Sequence, residues 1–339
     1  WRWRRSSCGV GMPDSPRTAR PVRTQAAVAG ALLLAVRMAA PQMRCSAVPP
    51  RPPARAALHR RGAVAGLLAP AAVGSSAWDA VADVPAGNEY AAVSAAEVFR
   101  LDGAVCKVGD LVPSGKRTVL AVLTHFGDFN SWEYAQQLRF ELPKLQQAGV
   151  SLVVVGIGTV SAAMKFSELL DLPAEFNLYA DPTGATAKAL GCSRGFAEGT
   201  PVNGYLKLLP MLLGIGSPGT LEAVLRGYRG DPGARRDWVD AAIAQGTTQN
   251  RFPSGYGEKD WDGIATDGIR PMELATLRLQ NMVDGILKNW DALAPADDQL
   301  FVQQGGTVIF RDRQPTYVYK DKGILTYTPI EQVIEELSL

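Results

Sequence analysis

The stretch VLAVLTHFGDFNSWEYAQQL, residues 119–138, restricts the fold more than any other part of the chain. From Thr118 to Phe126 the residues are almost all apolar or β-branched, with no polar alternation. A run of that kind is a strand covered on both faces, as in parallel sheets. Gly127 then allows a tight turn, and Asp128, Asn130 and Ser131 precede a helical period that carries an internal Pro143 and ends at Gly149. A buried strand running directly into a helix start sets these polar side chains where the helix dipole is positive, a position that favours negative charge.

The rest of the body repeats the unit. SLVVVGIG (Ser151–Gly158) is a second buried strand, SAAMKFSELLDL a helix, NLYAD (Asn177–Asp181) a short strand and TGATAKALG a helix stopped at Gly191. Near the end, GTVIFRD and PTYVYKD form a hairpin around Arg311–Gln314, followed by a closing helix, PIEQVIEELSL, with Pro329 near its start. The order βαβαβα…ββα predicts a central sheet with helices on both faces.

That order is the thioredoxin-like plan. The segments THFGDFNSWEYA, AGVSLVVVGIGT, LYADPTGATAKALG and VQQGGTVIFRDRQPTYVYKDKG resemble the AhpC/TSA peroxiredoxin-like family of plants, algae and cyanobacteria. The resemblance implies an α/β fold, a three-layer α/β/α sandwich over residues 90–339, interrupted before its last hairpin by a large, mainly helical insertion at 192–301. Redox-active relatives carry His-Phe-Gly-Cys-Pro-x-Cys at this turn. Alignment on His125-Phe126-Gly127 puts Asp128 and Ser131 at the two cysteine positions, so the dithiol is absent. Aspartate keeps the negative charge that the helix start favours, but it has no sulfenic acid or disulfide stage.

Three readings of the turn follow from its residues. In the first, Asn130 or Ser131 caps the helix and Glu133 closes a capping box with Asn130. In the second, His125, Asp128 and Glu133 form an acid/base group. In the third, a thiol elsewhere carries a peroxidase or reductase activity, the candidates being Cys106 and Cys192. Neither cysteine stands at the helix start that would activate it. Two cysteines and one histidine in the body do not supply a four-ligand zinc site, and no glycine pattern fits a phosphate loop or a dinucleotide, so neither a metal nor a cofactor is expected.

The insertion holds three features beyond the needs of the core. LLPMLLGIG (Leu208–Gly216) is too short to span a membrane and very apolar. Its Leu208, Leu209, Met211, Leu212 and Leu213 are either core or a face that docks on a membrane or protein partner. In the second feature, Leu279, Met282, Val283, Ile286, Leu287 and Trp290 read as one helical stripe. The third, Gly246 to Gly268, reads as a long loop.

Charge divides the chain. Up to residue 80 there are 12 Arg and Lys against 2 Asp and Glu, and the remainder carries 23 basic and 31 acidic residues, a net of −8. An acidic body argues against nucleic acid as a partner. Residues 1–80 combine an apolar run at Ala26–Val36, an Arg/Pro/Ala-rich segment and the pair Arg60-Arg61 before a second apolar run. In series these resemble a signal, a transit peptide and a twin-arginine export signal. The expectation is a plastid protein in the thylakoid, lumenal if the arginine pair is read and stromal otherwise, with a partner in a photosynthetic membrane complex.

Overall fold

The computed structural model describes residues 86–251 and 269–339. The leader assigned to residues 1–80 and the expected loop from 252 onward lie outside the described residues.

One mixed sheet of seven strands runs in the order β2-β1-β5-β4-β3-β6-β7. The strands β3 (Arg117–His125), β4 (Ser151–Ile157) and β5 (Leu178–Asp181) are parallel. The hairpin β6 (Gly306–Arg311) and β7 (Gln314–Lys320) continues the sheet antiparallel from β3, turning at Asp312 and Arg313 as expected. At the other edge lies a short hairpin that the sequence pattern did not announce, β1 (Glu97–Phe99) and β2 (Val105–Lys107), with β1 antiparallel to β5. The central position of β3 explains its unbroken apolar run. Leu120 stands opposite Val153 on one side and Val308 on the other, and nearly every residue from Thr118 to His125 is buried.

Helices cover both faces. Leu120, Val122, Val155 and Phe310 pack with Val93 of α1 (Glu89–Ser94), with Val108 of the short helical turn α2 (Val108–Leu111) and with Ala187, Leu190 and Cys192. The alternate residues Val119, Ala121 and Leu123 are equally buried and face the other way, toward α3 (Phe129–Gln147). Then come α4 (Val160–Leu170) and α5 (Ala185–Ala189), with α11 (Ile330–Glu336) closing the chain. This is the expected thioredoxin-like α/β/α sandwich.

Between α5 and β6 the described residues form α6 (Gly204–Leu212), α7 (Thr220–Arg229), α8 (Asp237–Thr248), α9 (Glu273–Gln280) and α10 (Trp290–Leu293). Helix α8 takes in Gly246–Thr248, so the expected loop starts later than its composition suggested. The expected stripe from Leu279 to Trp290 does not hold. Residues Asn281–Ile286 are π-helical, and while Met282 and Ile286 are buried, Leu279 and Val283 are exposed. A wider turn adds a residue per bond and rotates the following side chains off a 3.6-residue face.

The insertion meets α3 through polar groups. Glu133, Gln136, Gln137 and Glu141, spaced as one helix face, are all buried. The Glu133 carboxylate, fully buried, accepts from Arg278 Nε at 2.7 Å and Nη2 at 3.1 Å and from the Tyr327 hydroxyl at 2.8 Å. Gln137 Nε2 donates to Tyr327 Oη at 3.1 Å. The amides of Gln136 and Asn281 exchange hydrogen bonds at 3.2 and 2.9 Å, and Arg235 donates to Glu141. Close approach depends on Gly285, where a Cβ would lie 2.4 Å from the Trp132 ring.

Removing one partner of a buried ion pair strands the other. Glu133→Ala should therefore lower the unfolding free energy by about 3–5 kcal/mol, measured by urea denaturation. The double change Glu133→Leu, Arg278→Met should recover most of that loss, because it buries no charge.

Candidate functional site

The turn after β3 is held from inside. Phe126 N donates to Ile157 O at 3.2 Å and Asp128 N to His125 O at 2.9 Å. The Trp132 indole N–H reaches back to Phe126 O at 2.8 Å, which fixes the first turn of α3 against the strand end. The N-cap is Asp128, with extended backbone (φ −105°, ψ 145°) and a carboxylate accepting from Asn130 N at 3.4 Å. This corrects the expectation of Asn130 or Ser131. Both lie within the helix, and tertiary neighbours claim their side chains. Asn130 Nδ2 donates to Gly323 O at 3.2 Å and its Oδ1 accepts from Leu325 N at 2.6 Å, while the Ser131 hydroxyl bonds that of Thr124 at 2.8 Å. The capping box is corrected too, since Glu133 is committed to Arg278 and Tyr327.

His125 is buried, with its ring edge-on to Phe301 at 5.3 Å and Trp290 at 6.0 Å between centroids. Its Nδ1 accepts from Gly127 N at 3.2 Å, and burial lowers its pKa to about 3. It is a neutral imidazole with one nitrogen occupied. The structure does not assemble an acid/base group from His125, Asp128 and Glu133, because each is engaged by a different set of partners.

The charge on the turn has a neighbour that the sequence did not reveal. Burial raises the Asp128 pKa to about 6, against hydrogen bonds from Thr124 and the backbone of Asn130 and Phe129, with the Glu133 charge adding to the rise. Asp321, just beyond β7, is buried and one of its carboxylate oxygens has no hydrogen-bond partner. Its pKa is raised well above the carboxylate range by burial and then by Asp128. Nothing in the local sequence of Asp321 marks it, since 193 residues separate the two aspartates in the chain.

Neither thiol is activated. Cys192 is fully buried, and burial, reinforced by Asp321, drives its pKa upward. Cys106 lies on β2 at the sheet edge with its pKa raised, chiefly by burial, and its Sγ–H points to Val98 O at 3.7 Å. Both are free cysteines, and neither is at a helix start. Among the described residues no group of three or more His, Cys, Asp or Glu side chains is placed to hold a metal ion.

The apolar run divides in two. Met211 is fully buried with Val302 and Ile324, and Leu208 and Leu212 pack against that cluster. Leu209 (42% exposed) and Leu213 (67%) face outward, joined by Leu206 (60%), one turn before Leu209 and missed in the sequence reading. Leu221 and Leu225 on α7 are likewise exposed, and Leu221 lies beside Gly214, just past the end of α6. No helix among the described residues is long and apolar enough to cross a membrane.

The fold is that of a thioredoxin-fold, peroxiredoxin-like protein, and the turn after its central strand bears the carboxyl group of Asp128 and the hydroxyl of Ser131. A family model described as AhpC/TSA antioxidant enzyme matches residues 137–323, more than half of the chain, and the protein belongs to that family. The match begins within α3, nine residues past Asp128, and runs through the insertion and the whole of the last hairpin. No curated protein matches the chain.

The titrations of the turn predict a pH profile. Asp128 binds its proton more tightly folded (about 6) than its ordinary 3.8, so the stability it contributes is full below about pH 4 and is lost as pH rises through 6. His125 acts in the opposite sense. Its contribution is present above 6.5 and is lost as pH falls toward 3. Asp128→Asn keeps a capping oxygen and removes the ionisation. It should match the wild type near pH 4 and exceed it by up to about 3 kcal/mol at pH 8, read from urea unfolding across that range.

Proposed function

We propose that this protein is a non-catalytic member of its family, a binding or organising protein of the plastid that docks on a photosynthetic membrane complex through its insertion. The observation that carries the reading is the patch of Leu206, Leu209, Leu213, Leu221 and Leu225, exposed on two adjacent helices. Leucines recurring at this spacing on an exposed helix face leave apolar area in water unless something covers it. Loss of thiol chemistry supports the same reading. Asp128 occupies the activating position, while the remaining thiols have raised pKa values and so little thiolate at neutral pH. The leader-like series before residue 80, with Arg60-Arg61, supports the plastid and the thylakoid.

Two measurements test this. Purified protein should consume hydrogen peroxide at the background rate with thioredoxin or glutathione as reductant. Turnover abolished by Cys192→Ser or Cys106→Ser would instead establish a thiol peroxidase. In the second measurement, Leu206→Asp with Leu213→Asp should release the protein from isolated thylakoid membranes while its melting temperature shifts by no more than about 2 °C, as expected for exposed positions. Equal retention of variant and wild type would remove the patch from the account.

A further inference from the structure

Where the insertion meets α3, a cavity of about 210 Å³ lies between α7, the start of α8, α9 and the segment before the last helix. Its lining is of two kinds. Trp238, Val239 and Leu274 are apolar, while Arg226, Arg235, Arg236 and Arg278 bring guanidinium groups to the same space.

These arginines differ in what answers them. Arg278 is committed to Glu133 and to Ala223 O, the latter at 2.8 Å. Arg226 uses Nη2 on Glu222 at 2.7 Å and Nε on Asp231 at 3.5 Å, and Arg235 uses Nη1 on Glu141 and Nη2 on Asp237. Arg236 is half-buried, and its side chain makes no hydrogen bond or ion pair with any described residue. The acceptors that line the cavity do not balance these donors. Asp231 and Glu273 are held by Arg226 and Arg270, Tyr327 Oη lies between Glu133 and Gln137, and Glu331 is exposed. A guanidinium carries N–H donors and no acceptor, so the surplus calls for an anion. Water can answer the donors but leaves the apolar lining wet, whereas a ligand that joins an anion to an apolar body satisfies both.

We propose that this cavity binds a small carboxylic acid with an aromatic or branched apolar body, its carboxylate on Arg236 and its body against Trp238, Val239 and Leu274. The one uncommitted guanidinium matches a monoanion, and its planar fork fits a carboxylate bidentately. A dianion such as phosphate would set uncompensated charge beside Asp231 and Glu273, which line the same space. Size agrees with the class, since a cavity of roughly 150 Å³ admits benzene and the larger one here has room for a ring with its carboxylate. The site shares no residue with the apolar patch or with the turn after β3, so its fate is independent of the proposed function.

The test is titration calorimetry of the full chain with benzoate, with benzamide as its neutral counterpart and acetate as a carboxylate without a body. Benzoate should bind at one site with a Kd below about 1 mM. Benzamide and acetate should each bind at least about tenfold more weakly, a comparison that needs no variant. Arg236→Gln should weaken benzoate at least about tenfold and, having no ionic partner to strand, should melt within ~2 °C of the wild type. Arg229→Gln removes an exposed charge outside the lining and should bind benzoate as the wild type does. Absence of benzoate binding, equal affinity for benzamide or acetate, an unchanged affinity in Arg236→Gln, or an equal loss in Arg229→Gln would each overturn the proposal.

Discussion

The buried carboxylate of Glu133 is the point on which the rest of the structure turns. It sits one helical turn past the start of α3, out of reach of water, and takes three hydrogen bonds from Arg278 and Tyr327. One partner belongs to the insertion and the other to the segment before the last helix. A single charge on α3 thereby ties together parts of the chain that are 145 and 194 positions away. A charge buried in this way is tolerated only with its partners in place, so the insertion cannot lift from the sandwich without exposing both ions or stranding one.

That constraint explains the polar character of the seam. Gln136 with Asn281, Gln137 with Tyr327 and Glu141 with Arg235 continue it along α3. Hydrogen-bonded pairs specify register where apolar side chains would slide. The seam also explains how the turn keeps its shape. Asp128 needs only the helix start, Asn130 is held by the loop 323–325, and His125 is enclosed by Trp290 and Phe301 from the end of the insertion. The turn after the central strand is thus a junction between core and insertion.

Much of this was legible in the chain and some was not, for reasons that differ by residue. The strand at 118–126 and its helix were legible because burial on both faces leaves an apolar run, and the polar residues of the turn, Asp128 and Ser131, because they are identities read directly. The capping box failed because Glu133 and Asn130 have the right spacing for a local motif and stronger partners far away. The stripe at Leu279–Trp290 failed because the helix changes its period at Asn281. Leu206 was missed because it precedes the apolar run in which the other leucines stand.

By itself, the sequence determined the order of the central strands and helices and the net negative charge beyond residue 80, because these depend on identity and on periods of a few residues. Only the tertiary structure decided what those residues meet. It brought Asp321 to Asp128, gave Glu133 to Arg278, turned Met211 inward and Leu213 outward, and set Arg251 over the Trp132 ring. The physical reason is that burial and pairing are properties of three-dimensional neighbours. A carboxylate or guanidinium carries no local signal of whether the fold will answer it with a partner, with water, or with nothing.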